Sequence, residues 1–444
     1  DQCHVQHTVC TPSRCSFMSG WYPHVRGHRT LWYPLQPDEP NTLKYLKQAG
    51  YEVHWIGKND LLAQEAFADS VSVLHTAPGG ADGDRNIFNR SDPGYWSFLY
   101  GPMPGHNSSW NIVERAIEFL RSRKTSDAPF MLYLPIGCPH CPFTCPQPWY
   151  DIIDPDTLPP MRPAELEGKP VFHRLIREYR RLDHIDEKTL RKLRAVYLGM
   201  VMYVDHMLGR LMDALDETGL RDNTALFFFS DHGEWAGDYG LVEKWPSGLD
   251  DCLTRVPMIV RTPGGAAGHV IDSPVECFDI LPTTLELAGV ECGHTHFAKT
   301  MAPALRGEPG DSERAVFAEG GYDLHEPHCF EGQPHHAFAR DPNNIYAPKG
   351  RQQQEHPEGT VRCTMVRTQT HKLVYRPDDV SELYDLGSDP DELHNRYGDP
   401  ALASVESDLK QRLLDWYVHT SDVVPFEPQE RGFTSAVLGR LARG

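Results

Sequence analysis

Apolar positions along the chain follow two alternating rhythms. Between residues 194 and 217, Tyr197, Val201, Val204, Leu208, Leu211 and Leu215 return every three or four positions, the spacing of one buried helical face. Gly219 is the expected stop for that helix. Then comes "TALFFFS", a continuous apolar run suited to a buried strand, followed by "VPMIVR" and the helical stretch "DILPTTLELAG". Upstream, "NTLKYLKQAG" predicts a helix with Asn41 as N-cap and Gly50 past its end, leading into the strand "EVHWI". "WNIVERAIEFLRSR" and "PFMLYLPI" repeat the helix-then-strand order. Strands alternating with helices predict an α/β domain over 1–309, a mostly parallel sheet flanked by helices. Residues 310–444 read differently. "RAVFAE", "CTMVRT", "KLVYR" and "ELYDL" are short strands, the last two a hairpin across "PDDVS", and "SVESDLKQRLLDWYV" is a terminal helix. A smaller C-terminal antiparallel sheet plus helix is therefore expected.

Charge narrows the function classes. The 444 residues carry 43 Lys and Arg against 62 Asp and Glu, a net charge of −19, which argues against nucleic acid or an anionic membrane as partner. No apolar run is long enough to span a bilayer. Eleven cysteines form no small disulfide framework, and a mostly reduced state is expected. The chain starts at Asp1 with no signal peptide in view, which points to the cytoplasm and to an incomplete N-terminus.

The chemistry concentrates in "VCTPSRCSFMSGWYPH". Thr11 is expected to cap a helix whose first turn holds Pro12, which places Cys10 at a helix N-terminus. Free N–H groups there favour an anion, and Arg14, one turn on, adds a bidentate donor for sulfate or phosphate oxygens. One reading makes Cys10 a low-pKa thiolate nucleophile; the other makes it a buried structural cysteine.

The fuller pattern resembles the signature of the formylglycine-dependent sulfatases of the alkaline-phosphatase superfamily, met by Cys10, Pro12, Ser13, Arg14, Met18, Ser19, Gly20 and Pro23. The resemblance implies that a maturation enzyme oxidises Cys10 to formylglycine. A hydrated aldehyde has two hydroxyls on one carbon, one to attack sulfur and one to expel sulfate.

Three further stretches extend the likeness. "FFFSDHGEWAGDYGLVEKW" resembles the family segment whose Asp and following residue bind a divalent cation, usually Ca2+ (Mg2+ or Mn2+ as substitutes), and whose later lysine contacts sulfate. Carried over, these are Asp231, His232 and Lys244, with the residue-10 oxygen as a further metal ligand. "LPIGCPHCPFTCPQPWYD" has two readings. Cys138, His140, Cys141 and Cys145 would be a zinc knuckle, or Pro139, His140 and Pro142 match the family's Pro-His-x-Pro, making His140 the general acid at the leaving group. "WIGKNDLL" places Lys58 at a sulfate-binding lysine, with Asp60 where the family has histidine and so a candidate for substrate binding. His24 and His28 are further candidates for substrate selection. "RLIREYRR" is expected to be a solvated helix face.

The family's metal site also uses an Asp-Asp pair on a first strand well ahead of the cysteine. This chain starts nine residues before Cys10, so the resemblance implies a chain lacking that strand. The expectation is a sulfatase acting on a sulfated small molecule or saccharide. The alternatives are a phosphate or phosphonate monoester hydrolase of the same superfamily, or a catalytically impaired binding protein.

Overall fold

In the computed structural model, the described residues are 2–79, 99–124, 127–341, 344–426 and 431–432. Twelve strands are seen among them: β1 Cys3–His4, β2 Glu52–Ile56, β3 Val73–His75, β4 Phe130–Tyr133, β5 Leu226–Phe229, β6 Arg255–Val256, β7 Met258–Arg261, β8 Val275–Glu276, β9 Val316–Gly320, β10 Cys363–Arg367, β11 His371–Tyr375 and β12 Glu382–Asp385. β2 runs parallel to both β3 and β4, in the order β3-β2-β4. β5 pairs antiparallel with β7. β1 lies between β6 and β8, parallel to the latter. β12-β11-β10-β9 is a fully antiparallel sheet. The α/β fold with a smaller C-terminal antiparallel sheet is what the apolar rhythms predict.

Helix boundaries follow local chemistry. The Asn41 side chain accepts from the Lys44 N–H at 2.9 Å and starts the helix Thr42–Gln48, as an N-cap does. Asn107 does the same for Ser108–Ser122. The long helix begins earlier than its apolar stripe, at Glu187, because Asp186 caps it through the Thr189 N–H; it runs to Glu217, with Gly219 in the left-handed region just beyond.

Two large apolar clusters lie among these layers. One gathers the helix Cys10–Ser19, β2 and the helix Ile280–Ala288 around Phe17, Trp55 and Leu281. It continues into the C-terminal part through Val366, Leu373, Leu383 and Trp416, so the two sequence regions share one core. The other packs the helices Ser108–Ser122 and Glu187–Glu217 against the loop around Trp235 and Trp245. A cavity of about 1070 Å³ opens between the helices and is lined by both β4 and β5. Among the described residues, β4 hydrogen-bonds only to β2 and β5 only to β7, so the other edges of these two strands border that cavity.

Buried charges stitch the C-terminal sheet to the rest. Arg314 sits between Glu276 at 2.9 Å and Asp279 at 2.5 Å, all three buried. Removing one partner from a buried pair leaves an uncompensated charge, at a cost of roughly 3–5 kcal/mol. Arg314→Leu should therefore lower unfolding free energy in urea by about that amount. Glu308→Gln, at an exposed pair with Arg306, should change it by less than about 1 kcal/mol. Equal effects would contradict this reading of the buried triad.

Candidate active site

The helix Cys10–Ser19 opens the site. Its N-cap is Val9, whose side chain makes no cap bond, which corrects the expectation that Thr11 plays this part. Thr11 lies inside the first turn and donates its hydroxyl to the Leu31 carbonyl at 3.3 Å. Capping is achieved differently. His7 Nδ1 accepts the Val9 N–H at 3.0 Å, leaving Cys10 as the first helical residue. Cys10 is nonetheless at the helix N-terminus, 4% exposed.

β5 delivers the opposite wall. Directly after it, Ser230 donates to the His232 carbonyl at 2.7 Å, and Gly233 follows. A Cβ at Gly233 would lie 1.9 Å from the Cys252 carbonyl oxygen, so only glycine lets the chain pass and turn the Asp231–His232 pair inward. Ser13 donates to the Asp231 carbonyl at 2.5 Å, and Arg14 Nε donates to Asp231 Oδ2 at 2.7 Å. His232 Nε2 faces Cys10 Sγ at 3.2 Å. Its other nitrogen, Nδ1, lies 2.8 Å from the Gly233 carbonyl. That contact puts a proton on Nδ1 and turns Nε2 toward the sulfur.

β2 and β4 supply the rest. β2 ends at Ile56, and Gly57, at φ 141°, crosses Pro135 so closely that a Cβ would meet its carbonyl oxygen at 2.5 Å. Lys58 then donates its N–H to that carbonyl at 3.1 Å, which aims its side chain at the cavity. Lys58 Nζ is 2.8 Å from Asp60 Oδ2, and Arg14 Nη1 is 4.0 Å from the same oxygen. Asp60 is thus the counter-charge for both cations. Beyond β4, His140 Nδ1 lies 2.6 Å from the Cys141 carbonyl, and Lys244 Nζ contacts His140 Nε2. The carbonyl can only accept, so Nδ1 carries a proton, and Nε2 and Lys244 Nζ share one hydrogen bond on the other side of the ring.

The loop carrying Lys244 is held under strain. Ala236, Tyr239 and Glu243 all lie in the left-handed region, Glu243 at φ 76°, a conformation non-glycine residues keep only when their surroundings impose it. Glu243 is buried against Arg180 and Lys349, and accepts from Tyr179 at 3.4 Å. Farther on, Asp250 pairs with Lys169 at 3.1 Å, and Asp251 with Arg367 of β10 and Lys372 of β11 at 3.0 and 3.1 Å.

Cys10, Arg14, Lys58, His140, Asp231 and His232 thus line one cavity, the one of about 1070 Å³. Lys244 reaches it through His140, and Asp60 through Lys58 and Arg14. His24 and His28 do not belong to it. His24 binds Glu319 through Nδ1 at 2.7 Å and Thr420 through Nε2, and packs on Trp416. His28 meets the Tyr33 carbonyl at 2.8 Å and Glu39 at 3.1 Å. With both nitrogens of each ring engaged inside the fold, they brace structure, which corrects their reading as substrate selectors. The zinc-knuckle alternative also fails: among the described residues the one His/Cys/carboxylate cluster close enough to share a cation is Cys10, Asp231 and His232. None of the eleven cysteines is disulfide-bonded in the structure.

The electrostatics suit an anion. Burial works against a thiolate at Cys10, but Lys244 and His232 outweigh it, and the thiol sits well below its ordinary value. Arg14 Nη1 is buried and, among the described residues, makes no hydrogen bond. Burial alone would raise the Asp231 carboxyl, but Arg14, then His232, hold it well below the usual carboxylate range.

The sequence reading missed Arg180, Glu243 and Lys349. Arg180 carried a signal: it falls on the same stripe as Phe172, Leu175, Ile176 and Tyr179, at i, i+3, i+4, i+7 and i+8, and is fully buried. The outer arginines of that segment do behave as a solvated face, Arg174 pairing with Glu178 and Arg177 with Asp183.

Comparison with known proteins places these features. Residues 1–290 match the family described as Sulfatase, and residues 352–419 match N-sulphoglucosamine sulphohydrolase, C-terminal. The chain is 26% identical over 475 residues to the multifunctional alkaline phosphatase superfamily protein PehA of Trinickia caryophylli, covering 94% of this chain and 87% of that one. It is 24% identical to the N-acetylglucosamine-6-O-sulfatase of Bacteroides thetaiotaomicron, covering 97% and 81%. In structure it is similar to the phosphonate monoester hydrolase of Agrobacterium radiobacter, with a TM-score of 0.76 at 21% identity, covering 97% and 91%; at that identity the likeness speaks for the fold.

A carboxylate whose folded pKa is depressed stabilises the fold above its unfolded pKa, about 4, and this contribution is lost as pH falls through the folded value. Asp231→Asn should lower stability by roughly 3–5 kcal/mol at pH 7. The gap to the parent protein should hold down to about pH 5 and narrow below about pH 4. Denaturant titrations at several pH values check this; a gap that widens in acid would contradict the assignment of Asp231 as the counter-ion of Arg14.

Proposed function

The chain belongs to the sulfatase family and hydrolyses sulfate esters, and from that premise we propose that Cys10, matured to formylglycine, is the nucleophile toward a sulfated saccharide or small molecule. The observation that carries this reading is the buried Arg14 Nη1, a cationic donor with no hydrogen-bond acceptor among the described residues and only Asp60, at 4.0 Å, as counter-charge; Arg14 lines the same cavity as Cys10. A buried charged donor left unmade is costly, so such a group marks where an anion belongs.

The family uses a formylglycine and a divalent cation. A hydrated formylglycine at residue 10 supplies one hydroxyl to attack sulfur and a second to expel sulfate. Conversion of Cys10 implies a maturation enzyme as partner. Asp231 Oδ1 and His232 Nε2 are the protein atoms that would hold the cation beside residue 10: Oδ2 is taken by Arg14, and His232 Nδ1 by the Gly233 carbonyl. Ca2+ asks for six to eight oxygen ligands, of which Asp231 would supply one and the residue-10 oxygen another. Mg2+ or Mn2+ would fit the same donors.

The chain's own groups do the rest. Arg14 and Lys58 bind sulfate oxygens; Asp60 holds both cations in place before substrate arrives and gives them up to it. Asp231 fixes the Arg14 fork. Lys244 sits at His140 Nε2, so the pair keeps a proton where the leaving alkoxide would need one. Glu243, fixed by Arg180 and Lys349, holds its neighbour Lys244 against His140.

Removing one group that stabilises developing charge typically costs about 10²–10³ in kcat. Arg14→Ala and Lys244→Ala should each lose about that much on an aryl sulfate, and Cys10→Ala should lose all turnover above background. Chelation followed by re-addition of Ca2+, Mg2+ or Mn2+ should abolish and restore activity. Relative kcat/KM on phenyl sulfate and phenyl phosphate decides the reaction class: a preference for the phosphate ester would overturn the sulfatase assignment in favour of monoester phosphate hydrolysis.

A further inference from the structure

Three potential ligand atoms converge beside the start of the helix Cys10–Ser19 while residue 10 is still a cysteine. Cys10 Sγ lies 3.2 Å from His232 Nε2, and that nitrogen lies 3.8 Å from Asp231 Oδ1. All three side chains have ligand atoms within 4.8 Å of one another. The edges of a tetrahedral zinc site with one sulfur, one nitrogen and one oxygen ligand are about 3.3–3.6 Å, from bond lengths near 2.0–2.3 Å. The observed separations bracket those edges.

The surroundings favour the same reading. The Gly233 carbonyl takes the proton of His232 Nδ1, the outer contact that orients a ligating imidazole and fixes its tautomer. Arg14 occupies Asp231 Oδ2, which leaves Oδ1 as a single-oxygen donor. Cys10 faces the cavity, so water can take a fourth position. A sulfur, nitrogen and single-oxygen set is a poor match for Ca2+, which takes six or more oxygens, and a good match for a soft or borderline cation.

We propose that the unconverted thiol form of this protein binds a Zn2+-class cation through Cys10, His232 and Asp231, so that conversion of residue 10 from sulfur to oxygen changes which metal the site selects. Binding forms a sulfur–metal bond, breaks the S–H bond and releases that proton to solvent. The inference shares side chains with the sulfatase reading but concerns the form that reading leaves inactive.

The test uses the full chain made in a host without the maturation enzyme, with the residue-10 thiol verified by peptide mass. Co2+ serves as the probe. It should bind with one equivalent per chain and give a near-ultraviolet thiolate-to-cobalt band that Zn2+ displaces and an equal concentration of Ca2+ does not. Zn2+ should also shield Cys10 from alkylation by iodoacetamide, read on the tryptic peptide. Cys10→Ser should remove the band and weaken Zn2+ binding by at least about tenfold, since even loss of an outer contact costs that much. Cobalt bound without the band, a band that survives in Cys10→Ser, or Cys10 alkylated at the same rate with and without Zn2+ would overturn the proposal. The alkylation arm needs no variant, so it decides even if Cys10→Ser fails to fold. Turnover of the converted enzyme is a separate measurement, and either reading can fail without the other.

Discussion

The contact between Arg14 Nε and Asp231 Oδ2, at 2.7 Å, joins the start of one helix to the end of one strand, and the site is organised around it. Arg14 cannot lose its charge, and burial makes an unpaired guanidinium costly. Asp231 meets that demand with one oxygen and keeps the other for the cavity. The ion pair uses Nε and Oδ2, and in the proposed reading the remaining Nη1 then serves an anion and the remaining Oδ1 a cation. The same pairing thus prepares a place for each.

Around this pair the chain approaches itself where only glycine permits. Gly57 passes Pro135 and Gly233 passes Cys252, each just before or after a residue that lines the cavity. Glu243 is held in the left-handed region by Arg180 and Lys349 so that its neighbour Lys244 reaches His140. Among the described residues, three of the five non-glycine positions in the left-handed region, Ala236, Tyr239 and Glu243, fall in the short segment that leads to Lys244. The C-terminal sheet takes part in this: Arg367 and Lys372 grip Asp251, which closes that segment.

Much of this was legible in the residues. The apolar rhythms located β2, β5 and the long helix, because periodicity reports burial directly. The short motifs named Cys10, Arg14, Lys58, His140, Asp231, His232 and Lys244, and the fold brings them together. His24 and His28 were misread because a histidine in a loop looks the same whether it faces substrate or, as here, Glu319 and Glu39. Arg180 was counted among solvent-facing arginines, although its place on an apolar stripe marked it as buried. The Thr11 cap failed for a local reason: His7 reaches the Val9 N–H from outside the helix, a contact no capping pattern encodes.

The account stands on residue 10 being an oxidised side chain within reach of Arg14, Lys58, His140 and His232. The most direct measurement is the mass of the tryptic peptide ending at Arg14, from protein made alongside a formylglycine-generating enzyme and showing turnover. An aldehyde at residue 10, in a fraction that rises in proportion to specific activity, is the expected result. Full activity from protein whose residue 10 is entirely unmodified cysteine would contradict the account.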